Sequence, residues 1–185
     1  MTLQLKRFKI GVEEYYKMAE VGIIKPTDRV ELIEGEVITM SPIRSPHAAV
    51  VTALIEELVP VLKGKYTITS QSPIRINDQS QPEPDLLIAK YRKDRYSKKH
   101  PTPADVFLII EVSDSTLQTD RKVKLPLYAQ AMIPEYWIID VQKQQIEQYT
   151  QPEGDKYSTK KITKKTGTLT CQAIDFSLKV TDLFM

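Results

Sequence analysis

The sequence is poor in the features that announce a function from composition alone. One cysteine in 185 residues, Cys171, excludes an internal disulfide and leaves no thiolate cluster for zinc. No apolar run approaches the ~20 residues a membrane-spanning helix needs. The opening residues, Met1-Thr2-Leu3-Gln4-Leu5-Lys6-Arg7-Phe8, lack the apolar core and small-residue cleavage site of a signal peptide. A reducing cytoplasm is therefore the expected compartment, with no membrane partner. The formal net charge is only +2, so no overall field advertises a nucleic-acid partner. Internal repeats, low-complexity linkers and aromatic runs suited to base stacking are also missing.

What remains is an ordinary globular chain, 41% hydrophobic and 27% charged, long enough for one domain over 1–185 with a sizeable core. Apolar spacing predicts a short helix over Val12–Val21, with Tyr15, Met18 and Ala19 on one face. A hairpin follows over Arg29–Met40, turning near Gly35. Ser45-Pro46 opens a second helix that runs through Leu62, with Pro60 in its last turn or at a kink. Strands are expected at Tyr66–Ser70, Ile74–Asn77, Glu83–Ile88 and Phe107–Ser113. Thr116–Ala131 reads as a helix. Glu135–Val141 and Gln145–Tyr149 pair as a hairpin, and Lys156–Thr163, Thr168–Cys171 and Val180–Phe184 complete the chain. This order belongs to the α/β (α+β) class, a mixed sheet flanked by helices. It divides into an N-terminal helix and hairpin extension (1–44), a core (45–141) and C-terminal strands (142–185).

Charge is unevenly distributed. Lys90–His100 is strongly basic with interleaved tyrosines, and Arg92, Lys93, Arg95, Lys98 and Lys99 are candidate phosphate contacts. A second basic run spans Lys156–Lys165. The alternative to phosphate contact is a solvated loop or an exposed strand face, which stands level with it for the first run and is the preferred reading of the second.

Two acids interrupt apolar strands. Asp85 opens the run Leu86-Leu87-Ile88, and Glu111 closes Phe107-Leu108-Ile109-Ile110. If these strands return antiparallel with Ala89 near Phe107, Asp85 falls beside Glu111. Two buried carboxylates side by side are costly unless a cation or hydrogen bonds compensate, which points to a hard-metal site. The following helix carries Asp120, Lys124 and Tyr128 at i, i+4 and i+8, one face of an α-helix. Asp85, Glu111 and Lys124 can thus converge, a trio suited to phosphodiester hydrolysis. The competing reading is a buried Glu111–Lys124 ion pair with Asp85 capping a turn. Asp120–Lys124 could equally be a surface pair worth ~0.3–0.5 kcal/mol.

Pro84-Asp85, Glu111-Val112-Ser113, Asp120-x3-Lys124-x3-Tyr128 and Pro134-Glu135-Tyr136-Trp137-Ile138-Ile139-Asp140, in this order, resemble the Uma-two family of restriction-endonuclease-like proteins, within the PD-(D/E)xK nuclease superfamily. The likeness extends over nearly the whole chain, from the opening helix and the Glu31–Glu36 hairpin through Met40-Ser41-Pro42 and His47 to Leu178–Phe184. It implies a restriction-endonuclease-like fold and a Mg²⁺-dependent (or Mn²⁺-dependent) endonuclease acting on DNA, as a homodimer and with no small-molecule cofactor. Asp85, Glu111 and the carbonyl of Val112 would hold the metal. Ser113 stands where the superfamily usually has lysine, and Lys124 on the next helix matches the migrated lysine of this family. Glu34 would complete the acidic cluster, and His47 would contact phosphate or Glu34, unless it is simply a histidine at a helix end.

The sequence departs from the family pattern at Met132, where relatives carry glycine, so a left-handed helix end there would be strained. Pro126 inside the helix should bend it near Lys122. Two other functions remain open: a non-catalytic nucleic-acid-binding or assembly module, and a metal site that only stabilises the fold.

Overall fold

The computed structural model describes residues 7–184, so most of the opening stretch read above for a leader lies outside it. Its first helix, α1 (Val12–Glu20), is fixed by Tyr15, whose hydroxyl donates to the Val30 carbonyl at 2.9 Å; Ala19 is exposed and adds nothing to the packed face. The hairpin comprises β1 (Val30–Ile33) and β2 (Glu36–Thr39). Its two turn residues, Glu34 and Gly35, have φ of 49° and 77°. Positive φ at both positions matches the strand twist. Gly35 has a second constraint, since a Cβ there would lie 2.6 Å from the Lys9 Cβ.

Helix α2 (Ser45–Leu62) holds Pro60 in its last turn, as expected. It is apolar and 18 residues long, enough to cross a membrane by length and composition. Here Val50, Val51, Leu54, Leu58 and Leu62 are instead buried in the protein core.

Strands β3 (Tyr66–Ser70), β4 (Leu86–Lys90), β5 (Val106–Ser113), β6 (Glu135–Asp140), β7 (Gln145–Glu153) and β8 (Lys156–Lys164) form one sheet in that order. Every neighbour is antiparallel except β5 and β6. Parallel strands need a crossover, and the helical segment from Leu117 to Gln130 supplies it. Residues 74–77 make no strand. The segment is extended, but its amides reach loop carbonyls, Ile74 to Pro82 and Arg75 to Pro101, rather than a neighbouring ladder.

The pleat sends alternate β5 residues to opposite faces. Leu108, Ile110 and Val112 pack with α2 and the C-terminal segments, β9 (Thr168–Thr170), β10 (Ser177–Lys179) and a 3₁₀ turn at Val180–Leu183. Ile109 faces Tyr128, Ala129 and Tyr136 on the crossover side. Both faces are therefore covered, which explains the unbroken apolar run in β5. Fully burying each such side chain stabilises by ~1.5–3 kcal/mol.

One buried carboxylate pins the C-terminal segments to the sheet. Glu135 is 0% exposed. It accepts from Trp137 Nε1, Gln148 Nε2, Cys171 Sγ and the amides of Gln172 and Ala173. Five donors on two oxygens replace the water that the anion gives up.

Candidate active site

Strand pairing decides where the acids fall. Leu86 lies opposite Ile110, so Asp85, one residue before the ladder, comes beside Glu111. A register shift between Ile88 and Ala89 sets Ala89 against Val106 rather than Phe107, without disturbing this end. Asp85 Oδ2 receives the Val112 N–H at 2.8 Å and faces His47 Nε2 at 3.0 Å. Glu111 Oε1 receives Lys124 Nζ at 3.0 Å and the Tyr128 hydroxyl at 2.9 Å. Among the described residues, neither Asp85 Oδ1 nor Glu111 Oε2 receives a hydrogen bond, and both residues line one cleft.

Lys124 reaches Glu111 from an irregular helix. Short α-helices at Leu117–Thr119 (α3) and Leu125–Gln130 (α4) flank a π turn at Asp120–Lys124, in which the Leu125 N–H bonds to the Asp120 carbonyl. Pro126 has no N–H to offer the Lys122 carbonyl, so the regular ladder cannot continue and the widened turn precedes the proline. The expected disturbance near Lys122 is thus a π turn. Asp120 closes the front of this segment, with Oδ2 accepting from the hydroxyls of Ser113 at 2.6 Å and Thr116 at 2.7 Å. The helix ends with Ile133 N–H to the Tyr128 carbonyl and Met132 N–H to Ala129. That pair of bonds puts Met132 in the left-handed region, and its φ is 57°.

The electrostatics follow from burial. Desolvation pushes the Glu111 carboxyl well above the usual range; Lys124 opposes this, while Asp120, Asp85 and Glu31 reinforce it. Burial alone would lower the Lys124 pKa, yet the charges of Glu111, Glu31 and Asp120 and the Glu111 hydrogen bond raise it, so the side chain is a firm ammonium. Desolvation also raises Asp120, partly offset by Lys124 and the two hydroxyls. Glu83, on the same cleft, is raised by burial and by Glu31. The cleft therefore holds more carboxylates than its cations neutralise.

Glu34 does not join them. It sits exposed in the β1–β2 turn, its N–H bonded to Ser80 Oγ at 2.9 Å. The hairpin's contribution is Glu31, whose Oε2 lies 3.3 Å from Lys124 Nζ and accepts the Glu83 N–H at 3.0 Å. At position 34 the chain must turn, which sends the side chain to solvent; position 31 lies mid-strand facing inward. Local sequence argued only against Glu34, which abuts Gly35; Glu31 alternates with the apolar Val30 and Leu32, a pattern that does not by itself turn it inward. His47 lies in the site, although its partner is Asp85 and not Glu34, and its Nδ1 is buried with no partner among the described residues.

The basic loop is elsewhere. It leaves the far end of β4, five residues or ~17 Å from Asp85, and none of its residues lines the cleft. Arg92 is paired to Asp94 through both guanidinium arms and lies over the Tyr96 ring. Lys98 and Lys99 border a separate pocket with Tyr16, Arg75 and His100.

A family model described as Uma2, putative restriction endonuclease, matches residues 12–181. The chain belongs to the Uma2 family. A crystal structure of a putative nuclease belonging to DUF820 from Anabaena variabilis superposes with a TM-score of 0.69 at 15% identity, covering 95% of this chain and 97% of that one. At that identity the likeness speaks for the fold alone, and it agrees with the mixed sheet flanked by helices. A search of curated proteins found no match.

The donor set of this Uma2 chain is compatible with Mg²⁺. Among the described residues, no three of His, Cys, Asp and Glu are grouped to enclose a metal by themselves. Two carboxylates with oxygens free toward the cleft nevertheless suit an ion that keeps several waters and binds through one or two carboxylates.

Proposed function

We propose that the chain is a Mg²⁺-dependent endonuclease that hydrolyses DNA phosphodiester bonds, with Mn²⁺ able to substitute. One observation carries the reading: the β4–β5 register brings Asp85 beside Glu111 while Lys124 Nζ stands 3.0 Å from the same Glu111. Family membership supports the reaction class.

Asp85, Glu111 and the Val112 carbonyl would hold the ion, which supplies Lewis-acid polarisation and a more acidic bound water. The chain's own residues do the rest. The Val112 N–H and His47 fix one oxygen of Asp85, leaving Oδ1 for the cleft. Tyr128 and Lys124 do the same for Glu111. The Lys124 ammonium faces the negative charge that builds on the phosphoryl oxygens and orients the attacking water. Glu31 restrains the flexible lysine stem from the opposite side. Cutting both strands of a duplex calls for two such sites related by a two-fold axis, so we assign the active form as a homodimer.

Purified protein and Lys124→Ala are to be compared on plasmid and single-stranded DNA with Mg²⁺, Mn²⁺ and chelator. Cleavage by the parent alone, abolished by chelator, is the expected outcome. Equal cleavage by parent and variant would indicate a contaminant. No cleavage by either, with salt-sensitive DNA binding retained, would instead favour a non-catalytic binding module.

A further inference from the structure

We propose that the nucleic-acid backbone crosses the cleft end of the main sheet and is gripped there by Lys143, Lys164 and Lys165, rather than by the loop between β4 and β5. This rests on the nucleic-acid reading above and adds the surface that the substrate occupies.

The ladder registers fix the placement. Ser113 pairs with Asp140, Asp140 with Gln145, and Gln145 with Lys164. Paired residues share a face, so these four form one row across β5, β6, β7 and β8. Ser113 lies two residues beyond Glu111, which puts the row on the face that carries Glu111. At ~4.8 Å per strand, the Lys164 backbone stands about 14 Å from that of Ser113. A nucleic-acid strand rising 3.4 Å per nucleotide covers this in about four steps.

The rim is tied to the cleft wall. Gln142 Nε2 donates to Asp114 Oδ1 at 2.6 Å, and the Val141 N–H to the Ser113 carbonyl at 3.1 Å; Asp114 itself lines the cleft. Lys143 sits in this β6–β7 turn, its N–H bonded to Asp140 Oδ1 at 3.0 Å, with its side chain exposed. Lys164 is exposed, Lys165 is half-buried, and their turn is closed by Gly167 N–H to the Lys164 carbonyl at 2.8 Å.

Two cations near this row are committed, while Arg29 and Arg44 line the cleft itself. Arg121 and Lys160 both pair with Glu147. The ammonium groups of Lys143, Lys164 and Lys165 enter no ion pair among the described residues. Of the acids on the same rim, Asp140 is buried, its Oδ1 holding the Lys143 N–H and its Oδ2 without a partner among the described residues, and Asp114 holds Gln142. Uncommitted cations beside an acidic cleft suit a phosphate backbone whose scissile group must be drawn toward carboxylates.

The test compares duplex binding by the parent, by Lys143→Gln/Lys164→Gln/Lys165→Gln and by Lys93→Gln/Lys98→Gln/Lys99→Gln. A labelled 20-base-pair DNA is titrated with Ca²⁺ in place of Mg²⁺ at several salt concentrations. The rim variant is expected to bind at least tenfold more weakly at low salt. Its slope of log K against log salt should be shallower by about 2–3, at ~0.9 per lost phosphate contact. The loop variant should stay within twofold of the parent, and unfolding midpoints should agree because the substituted side chains are largely exposed.

A rim variant within twofold of the parent overturns the proposal, whatever the loop variant does. Cleavage assays run in parallel keep the two ideas separate. Parent cleavage with an unaffected rim variant would sink the surface and leave the nuclease. Rim-dependent binding without cleavage would sink hydrolysis and leave the surface. A parent that binds no duplex would remove both.

Discussion

The backbone N–H of Val112 points at Asp85 Oδ2 from 2.8 Å, so the end of one strand orients the carboxylate that opens its neighbour. A residue expected to contribute its carbonyl thus also contributes its amide. The orientation of Asp85 is set in part by main chain, with the His47 side chain on the same oxygen.

Divalent cation should stabilise this protein measurably. Binding at about 100 times Kd contributes ~2.7 kcal/mol, or roughly 5–10 °C in Tm for a domain of this size. A thermal scan with and without Mg²⁺ should show the rise in the parent and none in Asp85→Asn/Glu111→Gln. An equal rise in both would place the cation elsewhere.

Glu31→Gln should lower cleavage by at least tenfold, whereas Glu34→Gln should leave it unchanged. The first removes a charge 3.3 Å from Lys124 Nζ; the second alters an exposed turn. Single-turnover rates on a short duplex would separate them, and reversed sensitivities would restore Glu34 to the site.

Lys124→Met should destabilise the cation-free protein by about 3–5 kcal/mol, because it leaves Glu31 and Glu111 buried without their partner. Adding Lys124→Met to Glu31→Gln/Glu111→Gln should cost much less. Urea unfolding of the set tests this; equal penalties in both backgrounds would mean that the lysine is not compensating those acids.

Glu147 offers a pH test on the opposite side of the sheet from α2. Burial would raise its pKa, but hydrogen bonds from Arg121, Tyr149 and Lys160 bring it down to about 2, against an ordinary 4.5. The folded value is depressed, so its stabilisation is present above pH ~4.5 and is lost as pH falls toward 2. Glu147→Gln should therefore be less stable than the parent at neutral pH, with the gap closing between pH 4.5 and 2. Glu111 and Asp120 are raised and contribute the reverse dependence, so the comparison must be made between parent and variant at each pH.

Met132→Gly should raise Tm by a few degrees. Relief of left-handed strain, ~1–2 kcal/mol, exceeds the added unfolded-state entropy of ~0.5–1 kcal/mol. Met132 is 61% exposed and forfeits little packing. Calorimetry showing a lower Tm would mean that the methionine contributes contacts worth more than the strain.

The sequence disclosed those parts of the site that depend on local pattern. Asp85 and Glu111 stood out because acids rarely end apolar strands, whereas the left-handed Met132 was expected only from the glycine that the family resemblance implies at that position. Glu31 was overlooked in favour of Glu34 because a hairpin's alternation shows which residues share a face, not which face meets the rest of the protein. The position of the basic loop was not legible for a related reason. Its composition was legible, but the end of the sheet it occupies depends on strand direction and connection. Residues 74–77 were read as a strand because apolar alternation cannot distinguish a paired strand from an extended segment bonded to loops.

The π turn at Asp120–Lys124 makes the crossover one residue longer than a regular helix covering the same distance. That surplus residue sets the front and back of the segment out of phase by about 100°. Asp120 can therefore close onto Ser113 and Thr116 while Lys124 and Tyr128 both meet Glu111. Deleting the partly exposed Val123 would restore a regular spiral and force a choice between these two sets of bonds. The irregularity thus acts as a phase adjuster, reconciling a helix start dictated by one strand with a lysine position dictated by the cleft.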